Sequence, residues 1–196
     1  MTDIIDELAG ITPGDPELRR PVARDQAQAS HDALFAPVDE SDFTVPERLL
    51  IAAFVTRLTR ADATSEHYAR IAAEAAPDIA PAVLRAAEAN TAAGPYGEYA
   101  EEGLRDESIV GPRYAADPAE FGDRLAAALT HAHLLVYRPR ETDGAAHDAL
   151  LAAGWSVDAI VTLSQLVAFL AFQQRVVAGL PAIVRESETQ NERVPA

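Results

Sequence analysis

The chain of 196 residues contains no cysteine. It therefore cannot form a disulfide, use a thiolate as a nucleophile, or build a zinc–thiolate site or a cysteine-ligated iron–sulfur cluster. A peroxidase cycle that passes through a sulfenic acid is excluded as well, because that cycle starts from a cysteine thiolate. Any redox function would need an electron carrier other than a cysteine pair.

Basic residues are scarce. Lys and Arg together number 16 against 31 Asp and Glu, so that the formal net charge is −15 at pH 7. A negative field of this size repels a phosphate backbone and an anionic lipid surface. The composition thus predicts no nucleic-acid partner and no membrane partner. A large net charge also keeps a protein soluble, which is the simplest explanation for it.

The chain shows no pattern that would direct it out of the cytoplasm. The acidic N-terminal segment MTDIIDELAG lacks the basic stretch and following apolar stretch of a signal peptide. The most apolar run, AIVTLSQLVAFLAF at 159–172, is too short to span a bilayer and is interrupted by polar residues. We therefore expect a cytoplasmic protein in which this run is a buried helix.

Aromatic residues make up only 6% of the chain and alanine is abundant, which favours closely packed helices over a sheet. No segment alternates apolar and polar residues for long enough to predict a strand. The fold class is therefore predicted to be all-α. Helices are predicted at 2–8, 22–35, 46–59, 65–76, 79–94, 119–137, 144–153 and 157–180.

Helix starts are predicted from side chains that can accept hydrogen bonds from the first free backbone N–H groups. In chain order, the predicted caps are Thr2, Thr64 or Ser65, Asp78, Thr142 or Asp143, and Ser156. Residues 95–118 lack helical periodicity, which predicts a long connection that serves as a lid, an exchanged arm or an oligomer contact. One domain of 1–196 then comprises a helical half at 1–94, this connection, a second half at 119–182 and a polar tail at 183–196 that frays.

Three stretches, at 6–37, 44–72 and 131–180, carry a family resemblance. The last is the most specific, with a helix, the turn LLAAGWS and a long apolar helix that ends in FQQRVVAGL. In this order they resemble the carboxymuconolactone decarboxylase and alkylhydroperoxidase D (AhpD) superfamily, in particular its cysteine-lacking branch. The resemblance implies an AhpD-like fold of two helical halves with a shared core, assembled as a homo-oligomer.

The redox members of that superfamily carry a Glu, eleven residues, a Cys-x-x-Cys pair, three residues and a His. When the family His is placed at His67, the two cysteine positions fall at Arg60 and Ala63. Glu47 then falls on the family's Glu, although its interval to His67 is one residue longer than in the pattern. The resemblance implies the fold and a proton-relay pair of Glu47 and His67, but no thiol peroxidase activity.

Glu47 and His67 each have a structural interpretation beside the catalytic one. A carboxylate in a first helical turn is stabilised by the helix dipole, and a histidine near a helix start can bond to backbone or to a carboxylate. Catalysis requires the pair to lie within hydrogen-bond reach, with His67 suited to proton transfer near neutral pH. An enclosed pocket shared by both residues would favour an enzyme, whereas separated side chains would favour a scaffold.

Other polar residues give weaker signals. His131 and His133 lie two apart on a predicted helix and so point to roughly opposite sides, which argues against a shared metal ion. Without a metal-ligand spacing, a phosphate loop or a dinucleotide fingerprint, we predict no metal and no cofactor. Gln173, Gln174 and Arg175, at the end of the long apolar helix, either line a cleft or satisfy carbonyl groups and acidic neighbours.

Two function classes remain open. The first is a non-thiol enzyme, similar to a carboxymuconolactone decarboxylase-type lyase, that uses Glu47 and His67 for acid–base chemistry on a small carbonyl or lactone-like substrate. The second is a catalytically inactive AhpD-like scaffold that binds a small ligand or a partner protein. A redox role through a bound flavin, or a peroxidase-related role, is a weaker third hypothesis because no cofactor motif is visible.

Overall fold

The computed structural model describes residues 3–11, 21–60 and 62–193. Within these ranges the chain forms α-helices and two short 3-10 helices, Glu102–Glu107 and Pro139–Glu141, and no β-strand, which confirms the all-α prediction. The α-helices are α1 (Ile4–Ala9), α2 (Pro21–Phe35), α3 (Val45–Thr59), α4 (Ala63–Ala75), α5 (Ala80–Ala89), α6 (Pro118–Tyr137), α7 (Gly144–Ala152) and α8 (Val157–Arg193).

Aspartates replace two of the predicted helix caps. Asp62 accepts a hydrogen bond from the backbone N–H of Ser65 and starts α4, so the prediction of Thr64 or Ser65 is wrong, and both lie inside the helix. The predicted cap Thr2 lies outside the described residues, and Asp3 caps α1. A carboxylate at the N-cap both accepts a backbone hydrogen bond and interacts favourably with the helix dipole, which explains the preference.

Helix α5 is shorter than predicted. Its N-cap is Ile79, with no capping side-chain hydrogen bond, so the prediction of Asp78 is wrong. The helix ends well before Gly94 because the side chains of Asn90 and Thr91 donate to backbone carbonyls of the last turn. Such local hydrogen bonds compete with continuation of the helix.

The turn between α7 and α8 follows the prediction, and the C-terminal segment does not. Asp143 accepts from the first turn of α7, which selects it from the predicted alternatives Thr142 and Asp143, and Ser156 does the same at the start of α8, which confirms that cap. Gly154 between the two helices has a φ of 87°, a value that favours glycine. Helix α8 runs past Pro181, and residues 183–193 are helical instead of frayed, because this segment is rich in the good helix formers Glu, Arg and Gln.

The core is built around α3, which is apolar on every side. Ile51, Phe54 and Val55 are fully buried, and helices α2, α4, α5, α6 and α8 pack around them. The same hydrophobic cluster extends to Leu129 of α6 and Leu170 of α8. Described residues from both predicted halves, 1–94 and 119–182, therefore contribute to one shared core.

Helix α8 has one apolar face in this core and another at the surface. Its segment Val157–Ile183 is long and apolar enough to cross a membrane by length and composition alone, a test that core helices of soluble proteins also pass. Leu163 and Leu170 are fully buried, as predicted for this run, whereas Val161 and Phe172 are exposed. Packing against the core therefore accounts for only part of the apolar surface of the helix.

Candidate functional site

Glu47 is bonded through both carboxylate oxygens at the start of α3. One oxygen accepts from the backbone N–H and the hydroxyl of Thr44, at 3.0 and 2.9 Å, which completes a capping box. The other accepts from Nε of Arg124 on α6 at 2.7 Å. The carboxylate that the family resemblance suggested as a proton relay therefore has a structural role that uses both of its oxygens.

Arg124 extends this contact to the turn between α7 and α8. Its guanidinium also donates to the carbonyl of Gly154 at 2.6 Å and to the carbonyl of Asp42. The guanidinium carbon lies 4.1 Å from the centre of the Trp155 ring, a distance typical of a cation–π contact. Glu47 and Arg124 thus join the start of α3 to α6 and to the α7–α8 turn.

His67 lies on the second turn of α4 and is half-buried. Its ring contacts the Tyr68 ring edge-on, with 5.2 Å between the centroids, and it makes no hydrogen bond within the described part of the chain. Burial lowers the pKa of His67, and the nearby positive charge of Arg70 lowers it further. Glu7 of α1 and His31 of α2 face it from the neighbouring helices. The imidazole is therefore neutral at pH 7.

The structure does not bring Glu47 and His67 together. Helices α3 and α4 pack as a hairpin with a short connection, so they run in opposite directions. At about 1.5 Å per residue, Glu47 lies about 18 Å before the end of α3, and His67 lies about 6 Å after the start of α4. The two residues are therefore about 12 Å apart along the helix axes, beyond the reach of a direct proton transfer.

The positions that correspond to the family's two cysteines lie at the surface. Arg60 is the residue that ends α3, and Ala63 is the first residue of α4. Both are exposed. Neither side chain can replace a thiol in a redox cycle.

Side chains from α3, α4, their connection and α8 pack into a cluster near these positions, in which Thr59, Asp62, Tyr68, Gln173 and Gln174 make hydrogen bonds. We call it the His67 junction: Thr59, Asp62, Ser65, His67, Tyr68, Gln173 and Gln174. The Tyr68 hydroxyl donates to the amide oxygen of Gln173 at 2.8 Å. The amide nitrogen of Gln174 donates to Asp62 at 3.3 Å, and the hydroxyl of Thr59 donates to the Gln174 amide oxygen.

These contacts decide between the two interpretations of the glutamines. Gln174 bonds to an acidic neighbour and, at 3.1 Å, to the carbonyl of Thr56, and Arg175 donates to the carbonyl of Ala171. The amide nitrogen of Gln173 and the hydroxyl of Ser65 have no partner among the described residues, but both residues are fully buried. The junction holds α8 against the α3–α4 hairpin.

A cleft opens between α6 and α7, away from the junction. Its volume is about 430 Å³. Its walls are mostly alanine: Ala126, Ala127, Ala146, Ala149, Ala152 and Ala153. We call it the alanine cleft. Ala149 and Ala152 are exposed, so the cleft is open to solvent along α7.

His131 is the polar residue of the cleft that has no partner. It is only 3% exposed, and neither ring nitrogen has a hydrogen-bond partner in the part of the chain that the structure describes. Burial and the neighbouring His147, whose ring centroid is 5.7 Å away, lower the pKa of His131 to about 4. The hydroxyl of Thr130 beside it is fully used, because it donates to the carbonyl of Ala126 and accepts from the N–H of Ala116.

The spacing of His131 and His133 in the sequence raises only the question of a metal ligand, and the cleft was not predicted. The expected opposite orientation of the two histidines is confirmed, since His133 packs instead against Tyr114 and Tyr137, at 5.3 and 4.9 Å between ring centroids. Among the described residues, no group of three His, Asp or Glu is placed to hold a metal ion. The sequence signal for the cleft is the spacing of the alanines on α7, which places only small side chains on one face of that helix.

The chain matches no protein-family model and no curated protein. The resemblance to the AhpD superfamily therefore depends on the three sequence stretches alone. The all-α fold class is established by the structure and does not depend on that resemblance.

Proposed function

We propose that this protein is a cysteine-free, AhpD-like helical scaffold that binds a small ligand and carries out neither thiol redox chemistry nor chemistry by a Glu47–His67 pair. The observation that carries the proposal is the position of Glu47, whose two oxygens are engaged by Thr44 and Arg124 at a distance from His67. A general base must lie within hydrogen-bond reach of the proton that it removes.

The surroundings of His67 support the same proposal. The polar side chains of the His67 junction bond mainly to one another and hold three helices together. The two family cysteine positions hold Arg60 and Ala63, which have no thiol chemistry. What favours a binding function is the alanine cleft, a concave and mostly apolar surface whose lining includes His131, a buried side chain without a hydrogen-bond partner among the described residues.

The proposal includes assembly as a homo-oligomer. Its support is the outer face of α8, which exposes the large apolar side chains Val157, Val161, Phe172 and Ile183. Large apolar side chains gathered on one surface are typical of contact sites between proteins. Light scattering at micromolar concentration should give a mass above the 20.9 kDa of one chain; a single species at that mass would remove this part of the proposal.

A second candidate function is acid–base catalysis by His67 without Glu47. One observation favours it: the imidazole is half-buried and neutral at pH 7, as a general base must be. Small lactones and carbonyl compounds are the substrates to test. Conversion by the wild type that is lost in His67→Ala and kept in Glu47→Gln would establish this function in place of the scaffold.

The proposal is tested by a coupled peroxidase assay with tert-butyl hydroperoxide and a dithiol reductant. We expect no turnover above the rate without protein, since the reaction needs a nucleophilic sulfur and a second thiol to resolve the sulfenic acid. The double variant Glu47→Gln, His67→Ala is the control. Robust turnover in the wild type that is lost in this variant would overturn the proposal.

A further inference from the structure

We infer that the alanine cleft binds a small neutral molecule with an apolar body and one hydroxyl group, whose hydroxyl forms a hydrogen bond with His131. This inference rests on the proposed ligand-binding function and names the place and the chemical class of the ligand.

The size and walls of the cleft fit a small apolar body. Its volume of about 430 Å³ lies within the range of about 300–1,000 Å³ that is usual for ligand pockets. The alanine methyl groups of α6 and α7 offer apolar contact without filling the space between the helices. Leu134 and Pro118 add apolar surface at its edges.

His131 supplies the polar anchor. Buried side-chain polar atoms in folded proteins nearly always have a hydrogen-bond partner, yet both ring nitrogens of His131 lack one in the described residues, and the residue is 97% buried. A neutral imidazole presents one N–H donor and one acceptor nitrogen. A hydroxyl group can donate to the acceptor or accept from the donor, so it matches either orientation of the ring.

The charges around the cleft disfavour an anion. Among the described residues that line it, none is Arg or Lys, and the exposed Asp123 contributes a negative charge. His131 is neutral at pH 7 and so supplies no positive charge to the cleft. A carboxylate or phosphate bound in the cleft would lose contact with water and gain no counter-ion, which is unfavourable.

Three probes of similar size separate these requirements: phenol, fluorobenzene and benzoate. Isothermal titration calorimetry at pH 7 should detect phenol binding. Fluorobenzene should bind about fivefold more weakly, because it fills the same space without a strong hydrogen bond. Benzoate should not bind. The fluorescence of Trp155, the single tryptophan, gives an independent readout because this residue directly follows the α7 side of the cleft.

Variants on α7 test the location. Ala149→Phe places a ring in the cleft from an exposed position and should weaken phenol binding at least about tenfold by steric exclusion. Ala145→Phe is the matched control, since Ala145 is exposed on the same helix and does not line the cleft; it should leave the affinity unchanged. His131→Leu should remove the preference for phenol over fluorobenzene.

The failure of this inference can be distinguished from that of the proposed function. If phenol does not bind the wild type, or binds Ala149→Phe as well as the wild type, the assignment of the cleft is overturned. If benzoate binds more tightly than phenol, the neutral hydroxyl ligand is overturned in favour of an anion. Dithiol-dependent peroxidase turnover would instead overturn the proposed function, whatever the probes do.

Discussion

The His67 junction and the alanine cleft both contain a histidine that is neutral at pH 7, but they use their polar groups in opposite ways. In the junction, Tyr68, Gln173 and Gln174 bond to neighbouring side chains and join helices. In the cleft, His131 has no hydrogen-bond partner within the described ranges of the chain, and the apolar walls around it leave space. We therefore expect ligand binding where a buried group without a partner borders open space, as His131 does, and not in the filled junction, although Ser65 and Gln173 each leave one polar group without a partner there among the described residues.

The difference has a simple energetic origin. A hydrogen bond inside the protein contributes about 0.5–1.5 kcal/mol, whereas a buried polar group without a partner is destabilising by about 1–3 kcal/mol. The junction gains from its contacts and should tolerate little change. The cleft retains a destabilising feature that a bound molecule would relieve. The following predictions test this contrast from the largest expected effect to the smallest, with a conservative variant placed beside the first.

Truncation of Tyr68 should destabilise the protein most. Tyr68 is fully buried, and its ring lies 5.1 Å from that of Phe35 between centroids. Tyr68→Ala removes this packing and should lower the free energy of unfolding by about 3–5 kcal/mol. Urea unfolding at pH 7 measures the loss.

A conservative variant separates packing from hydrogen bonding at the same position. Tyr68→Phe keeps the ring and removes only the hydroxyl that donates to Gln173, so it should lower the free energy of unfolding by about 1–2 kcal/mol. Equal stability of Tyr68→Phe and the wild type would show that the junction is not stabilised by its hydrogen bonds.

Acid should destabilise the protein through His131. Its pKa falls from 6.5 to about 4 on folding, so the unfolded chain takes up the proton first as the pH decreases. The stability that depends on neutral His131 is complete above pH 6.5 and is lost as the pH falls towards 4. At about 1.4 kcal/mol per pKa unit, the loss from this residue is about 3 kcal/mol.

Urea unfolding at several pH values between 7 and 4 measures this loss of stability in acid. His131→Gln should reduce the decrease in the free energy of unfolding with falling pH, because the glutamine amide does not titrate. His147→Gln, at an exposed position of α7, is the control and should retain most of this decrease. The buried His133 and the half-buried His67 also have lowered pKa values, so some decrease should persist in His131→Gln. An unchanged slope in that variant would contradict the assignment to His131.

Sequence patterns predicted the helices better than the contacts between them. The apolar run of α3 and the cap Asp143 depend on residues close in sequence, and both followed the prediction. Glu47 also had a local signal, the capping box with Thr44, but its bond to Arg124 joins residues far apart in the chain. The cleft arises where small residues of α6 and α7 face each other. The sequence pattern of a single helix does not reveal which helices become neighbours.

Glu47 should affect stability and leave ligand binding unchanged. Glu47→Gln keeps an oxygen for the capping box but loses the charge opposite Arg124, whose side chain is 32% exposed. For a partly solvated pair of this kind we expect a loss of about 1 kcal/mol or less. Thermal unfolding measures the change, and calorimetry with phenol should give the wild-type affinity. A large loss of affinity would mean that Glu47 acts on the cleft through Arg124.

Substitution of His67 should have the smallest effect, because two contributions oppose each other. His67→Ala loses an edge-on contact with the Tyr68 ring, and such aromatic pairs contribute about 0.5–1.5 kcal/mol. Alanine is the better helix former on α4, by up to about 0.7 kcal/mol, and no hydrogen bond is lost among the described residues. The free energy of unfolding at pH 7 should therefore change by less than about 1 kcal/mol. Phenol binding should be unaffected, since His67 lies on α4 and the cleft lies between α6 and α7. A loss above about 2 kcal/mol, reversed by His67→Gln, would show that the imidazole has a buried hydrogen-bond partner, and the expected small effect of this substitution would be contradicted.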